Sequence, residues 1–236
     1  MARRPRDAHM ARLKALLSIV DYSDLIITCG PDTYNVHKAV VCPQSLFFKK
    51  AERFPVGKEA EEGTIDLPRD NPQAVRLLVQ FFYECEYDPE LPKLSRFDKA
   101  GRPIITGIKD DQYHYSFPHS CDGTQLLIHA MMYEVADKYD ITELRQLAQE
   151  KFSLSCDAFW ETEPFAKAVE HALTTTPESD TGLRKVLAET IVSHISLLDK
   201  PAVATLLDTY PGFAHSVLRR LAEEAGWLKP IVKAAS

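Results

Sequence analysis

Leu13, Leu16, Leu17 and Val20 recur at helical spacing, so residues 10–20 read as a short helix with one apolar face. Asp21 to Asp24 break it. An apolar, β-branched run at 25–29 reads as a strand, and Gly30-Pro31-Asp32 is a turn signal. Residues 33–37 continue as a second strand, with Tyr34 and Val36 alternating with Asn35, which predicts a hairpin with one buried face. From 39 to 51 the pattern becomes helical. Val40 and Val41 lead in, Pro43-Gln44-Ser45 marks a break, and Leu46, Phe47 and Phe48 supply bulk. Residues 58–63 are polar and read as loop, and 64–67 as a third short strand. Asn71-Pro72 places a capping residue and a first-turn proline ahead of Val75, Leu78, Val79, Phe82 and Tyr83, the broad apolar face of a helix that ends near 84–87.

The stretch 88–122 differs. Pro89, Pro92, Gly101, Pro103, Gly107 and Pro118 punctuate it, and it reads as an inserted loop with a short strand around 103–108. Beyond it the pattern is helical. Ile128, Met132, Val135 and Tyr139 mark one face, and Leu144, Leu147, Ala148 and Phe152 another, behind Thr142 as a cap. Thr162-Glu163-Pro164 opens a third helix carrying Phe165, Val169 and Leu173. Leu183, Leu187, Ile191, Ile195 and Leu198 predict a fourth, and 202–207 with 213–221 a last pair.

Composition narrows the function classes. The chain has 236 residues, 45% hydrophobic and 26% charged, ordinary for a folded protein. A net charge of −6 opposes nucleic-acid binding by the folded body. The basic start (Arg3, Arg4, Arg6, Arg12, Lys14) reads as a solvated terminus, with a targeting segment as the alternative. No apolar run suits a signal peptide or a membrane span; Leu77, Leu78 and Val79 are interrupted by Gln80. Five cysteines, an odd number without a CxxC pair, point to reduced thiols in the cytoplasm and/or nucleus.

Catalytic templates fail on the residues present. The sequence has no GxGxxG, GxxxxGK[ST], GxSxG or HExxH. His114, His119 and Cys121 are the best metal candidates, but their spacing fits no common zinc motif, so the expectation is no metal and no cofactor. His37 suits a general base by its usual pKa, yet no nucleophile accompanies it, and a structural histidine is the expectation. Glu59, Glu61 and Glu62 read as a solvated acidic loop.

The order helix, hairpin, two short helices, strand, helix, further helices carries residues that resemble the BTB/POZ family. These are Ser23-Asp24-Leu25, Val36-His37-Lys38, Ser45 with Phe48, Ile65 with Leu67, Phe82-Tyr83, and Val135-Ala136-Asp137-Lys138-Tyr139 with Ile141 and Leu144. Thr176-Pro177, Asp180 and Gly182-Leu183-Arg184 resemble the helical C-terminal extension of the fungal subgroup. The resemblance implies an α+β fold, a small mixed sheet of about three to four strands flanked by helices, followed by an all-helical extension. It places a BTB/POZ domain at 10–152, with the inserted loop 88–122, and the extension at 153–230.

The implied function is non-catalytic protein–protein interaction, with a homodimer as the first expectation. The amphipathic start must bury its face on its own core or on a partner. In the family the corresponding helix packs across a two-fold axis, which implies an interface of Leu13, Leu16, Leu17, Val20, Val40 and Val41. Asp24 and Lys38 match a charged pocket at that interface, with an intramolecular ion pair as the alternative. Phe47, Phe48, Val56 and Glu59 match the surface that cullin-binding members use. The apolar residue and the glutamate are three apart here rather than two, a departure from the cullin motif. A cullin adaptor and a small-ligand or metal protein using the 88–122 loop remain the alternatives.

Overall fold

The computed structural model describes residues 5–53, 63–89 and 123–228. These residues fall into two compact units. One runs to residue 89 and takes in Val135–Arg145; the other takes in 123–134 and the residues from Gln146 on.

The first unit opens with α1, Pro5–Leu16. It starts earlier and stops earlier than the spacing predicts, and Val20 lies beyond its end. Strands β1 (Leu25–Cys29) and β2 (Asp32–Val36) form the expected antiparallel hairpin, with Leu25 opposite Val36 and Cys29 opposite Asp32. Gly30 turns it at φ 56°, where a side chain is strained. Strand β2 ends one residue short of His37, which already bonds as the start of the next helix. Leu25, Ile27 and Cys29 point into the core while Ile26 and Thr28 are half-buried, the period of two. Strand β3 (Thr64–Asp66) lies parallel on the other side of β1, giving the order β2-β1-β3, a small mixed sheet. The Thr28 hydroxyl donates to Asp66 at 2.6 Å, and the Leu67 N–H to the Thr28 carbonyl at 2.8 Å.

Between β2 and β3 lie α2 (Lys38–Val41), a 3₁₀ turn (Cys42–Gln44) and α3 (Leu46–Arg53), with the break where Pro43 requires it. Helix α4, Pro72–Glu84, begins as expected. The Asn71 side chain accepts from the N–H groups of Gln73 and Ala74 at 2.9 and 3.3 Å. Every residue from Leu77 to Tyr83 is buried, all of them apolar or aromatic except Gln80, so the second half of this helix is covered on all sides and forms the centre of the unit.

Helix α5 (Gln125–Lys138) ends at Asp140, φ 54°, where the Ile141 N–H bonds the Ala136 carbonyl at 2.9 Å. Then follow α6 (Thr142–Phe159), α7 (Glu163–Thr175), α8 (Leu183–Ser193), α9 (Pro201–Thr209) and α10 (Pro211–Glu224). The fourth predicted helix does not continue through Ile195 and Leu198. It stops at His194 (φ −127°, ψ 67°), whose ring stacks on Trp160 at 4.0 Å, and a 3₁₀ turn spans Ile195–Asp199. The tighter winding changes which side chain faces inward: Leu197 is buried and Ile195 is 51% exposed.

Candidate interaction surface

Helix α1 packs on its own α4. The Lys14 ammonium pairs with Glu84 at 2.7 Å, and the same carboxylate accepts from Gln80 at 3.3 Å. Leu13, Leu16 and Leu17 are half-buried. The apolar face that needed a cover is thus turned toward the core of its own unit. Directly after the helix the chain exposes three large apolar side chains, Ile19 at 44%, Val20 at 65% and Tyr22 at 89%. The segment is a fixed turn: Tyr22 takes φ 67°, and the amide and hydroxyl of Ser23 both donate to the Val20 carbonyl, at 3.1 and 2.7 Å. Ile19 and Tyr22 escape the sequence reading, because neither continues the helical stripe.

Other residues of the expected interface divide. Val40 is half-buried. Val41 is fully buried in its own core and offers no surface to a second chain, which removes it from the interface. Asp24 and Lys38 do come together, through the main chain. The Asp24 carboxylate accepts from the Lys38 N–H at 2.7 Å, placing a negative charge at the start of α2, whose preceding residue His37 makes no side-chain cap. A carboxylate committed to an amide serves the fold first.

His37 is structural in its geometry. Its N–H donates to the Tyr83 hydroxyl at 2.9 Å; its Nδ1 lies 2.7 Å from that hydroxyl and its Nε2 3.2 Å from the Asp21 carbonyl. The set is consistent if the hydroxyl donates to Nδ1 and Nε2–H donates to Asp21. Burial holds the Tyr83 hydroxyl protonated, its pKa pushed up to about 12.

Phe48 is also a correction. It is fully buried, packed edge-on against Phe82 and tilted against Tyr139, so it is core and not a docking group. Phe47, 38% exposed, lies on Tyr139 with ring centroids 4.7 Å apart, and Leu46 beside it is exposed. Tyr139 is held at both ends. Its hydroxyl donates to Asp70 at 2.7 Å, Lys138 pairs with the same carboxylate at 2.7 Å, and the Ser45 hydroxyl donates to its carbonyl at 2.7 Å. Val56 and Glu59 lie outside the described residues, as do Glu61, Glu62, His114, His119, Cys121 and all but the first residues of the 88–122 loop.

Three buried groups that could otherwise react are held in their neutral forms. Burial pushes the Cys156 thiol up to about 12 and raises that of Cys29, so neither forms a nucleophilic thiolate near neutrality. Burial, helped by the nearby Lys151 ammonium, lowers His129 to about 3. Among the described residues no group of three or more His, Cys, Asp or Glu is arranged to hold a metal ion. No described helix is long and apolar enough to cross a membrane.

Comparison with known proteins follows the same lines. The BTB/POZ domain family model matches residues 13–97. No curated protein matches the chain. Among solved structures, the BTB (Tramtrack and Bric a brac) domain of human gigaxonin is 14% identical; the match covers 64% of this chain and 95% of that one, with a TM-score of 0.38. The hairpin, the parallel third strand and α4 all lie within the matched span, with only the last turn of α1, and the chain therefore carries a BTB/POZ domain over residues 13–97.

Proposed function

We propose that this chain is a non-catalytic interaction protein that self-associates through its BTB/POZ domain. The domain at residues 13–97 is a protein–protein interaction module. What carries self-association is the exposed apolar turn Ile19, Val20 and Tyr22, which follows a helix already covered by α4. Exposed apolar groups held in one geometry lose little entropy when a partner covers them. A stable interface buries on the order of 1,200–2,000 Å². The turn alone falls short of that, so the outer side of α1 and the half-buried Val40 would join it. We extend the domain over 10–152 and assign 153–230 to the helical extension. Five cysteines in a chain of net charge −6 support a cytoplasmic and/or nuclear setting and a protein rather than a nucleic acid as partner.

Light scattering tests the reading. The expected mass is twice 26.6 kDa, reduced to 26.6 kDa in a Val20→Asp/Tyr22→Asp variant that melts like the wild type. A wild-type monomer at tens of micromolar overturns it.

A cullin-adaptor role is the second reading. It is favoured by Leu46 and Phe47, exposed side by side at the start of α3. Calorimetry against a cullin N-terminal domain should then show binding that Phe47→Ala weakens; no heat with the wild type removes this reading.

A further inference from the structure

The exposed apolar turn after α1 has a backbone that its sequence does not favour. The Ser23 N–H closes a four-residue turn onto the Val20 carbonyl, and of its two central residues only Tyr22 has a positive φ, 67°. That is a type II turn, whose third position suits glycine because a side chain there is strained. A type I turn over the same residues would give Tyr22 a negative φ, without strain. The two types differ by roughly half a rotation of the central peptide plane. Here that plane carries the Asp21 carbonyl and the Tyr22 N–H. Its hold is His37, whose Nε2 lies 3.2 Å from the Asp21 carbonyl. The His37 ring is itself fixed. It is 6% exposed, and its Nδ1 lies 2.7 Å from the hydroxyl of Tyr83, which is fully buried in α4 and also accepts from the His37 N–H at 2.9 Å. A carbonyl only accepts, so the proton of the neutral ring sits on Nε2, and Nδ1 takes the Tyr83 hydroxyl proton. Turned over into type I, the plane would aim its carbonyl away and leave the Nε2–H of a buried ring without this acceptor.

We propose that His37 is the positioning residue of the docking turn: it selects type II over type I, so that the turn offers the Tyr22 N–H, beside Ile19, Val20 and the Tyr22 ring, to a second copy of the chain. A trans peptide points its N–H opposite to its carbonyl, so holding the Asp21 carbonyl toward His37 aims the Tyr22 N–H away from that ring. This N–H donates to no acceptor among the described residues. The flipped plane would offer an acceptor in its place, which reverses the polarity a partner meets among the three apolar side chains. A turn already held in one sense also spares the partner the entropy of ordering it. For its partner this rests on self-association through the first unit; the choice of turn does not depend on it.

NMR of the full chain in mildly alkaline buffer tests it, with light scattering over a dilution series for the dimer. In the wild type the His37 ring should be the Nε2–H tautomer, and a strong contact between Asp21 Hα and the Tyr22 N–H should report the type II turn. His37→Leu should weaken that contact and raise the dimer dissociation constant about tenfold. His37→Gln, whose terminal amide can take the place of Nε2–H, should keep both closer to the wild type. Adding Tyr22→Gly to His37→Leu should bring the type II contact back, because glycine favours it without help. The Nδ1–H tautomer, a contact unchanged in His37→Leu, or a dissociation constant that stays the same while the turn changes overturns the proposal. The tautomer judges it even where His37→Leu does not fold. A monomeric wild type with the same turn changes removes self-association while upholding the hold of His37 on the turn.

Discussion

The Tyr133 hydroxyl sits where a side chain on Gly182 would begin: a Cβ built on Gly182 would lie 2.0 Å from Tyr133 Oη. The hydroxyl can then reach Asp180 at 2.7 Å, while Asp180 also gathers the N–H groups of Gly182 and Arg184 at the start of α8. The Asp180, Gly182 and Arg184 of the sequence motif are thus one structural lock. Gly182→Ala forces the buried ring aside and should cost about 3 kcal/mol in urea unfolding. Tyr133→Phe keeps the ring and should cost only about 1–2 kcal/mol, since Asp180 retains its backbone donors.

His129 makes the second unit acid-sensitive. Its folded pKa, about 3, lies below the 6.5 of an exposed imidazole. Above pH 6.5 both states are neutral there and nothing is lost. As the pH falls below that value, the unfolded chain takes up a proton that the folded chain refuses. Stability should then fall by up to about 1.4 kcal/mol per pH unit, reaching about 2 kcal/mol by pH 5. Urea midpoints between pH 7 and pH 4.5 should show the slope, and His129→Leu should flatten it.

The two phenylalanines of α3 should separate cleanly. Phe48→Ala opens a cavity among Phe82 and Tyr139 and should cost about 3–5 kcal/mol. Phe47→Ala, at a half-exposed ring, should cost less than about 1.5 kcal/mol. Chemical denaturation of both variants checks this, and only Phe47→Ala is fit for testing a docking role.

The Lys14–Glu84 pair holds α1 in place, with side chains 40% and 15% exposed. Lys14→Glu should loosen the helix by about 0.5–1 kcal/mol, the range of exposed pairs. Amide exchange in α1 should rise while α4 stays protected, and the swap Lys14→Glu/Glu84→Lys should restore it.

Thiol labelling should follow burial. In a Cys121→Ser background Cys85, exposed at the end of α4, should react first, and Cys42, half-buried, more slowly. Cys29 and Cys156 should react only on unfolding, because burial raises both thiols. Mass spectrometry of the native protein after a short pulse reads the order.

Local patterns carried much of the fold. The period of two at Leu25, Ile27 and Cys29, the Gly30-Pro31 turn, the Asn71-Pro72 helix start and the Pro43 break each act within a few residues, so such features can be read without knowing the tertiary contacts. The surface was less legible. Leu13, Leu16, Leu17, Val20, Val41 and Phe48 are all apolar in sequence, and nothing local tells a core side chain from a docking one. Packing decides it: Val41 and Phe48 lose all their exposure, the face of α1 meets α4, and Val20 is left outside with Ile19 and Tyr22. The same holds for charge. Asp24 and Lys38 are fourteen residues apart in sequence, and only the hairpin brings the Asp24 carboxylate to the amide of Lys38. The sequence by itself determined most of the strands and helices, because their patterns are local and periodic, while the resemblance to an interaction domain rested on particular residues such as Ser23-Asp24-Leu25 and Val36-His37-Lys38. Which apolar side chains remain on the surface, and which charges pair with one another, depends on contacts between distant residues, and only the tertiary structure decided them.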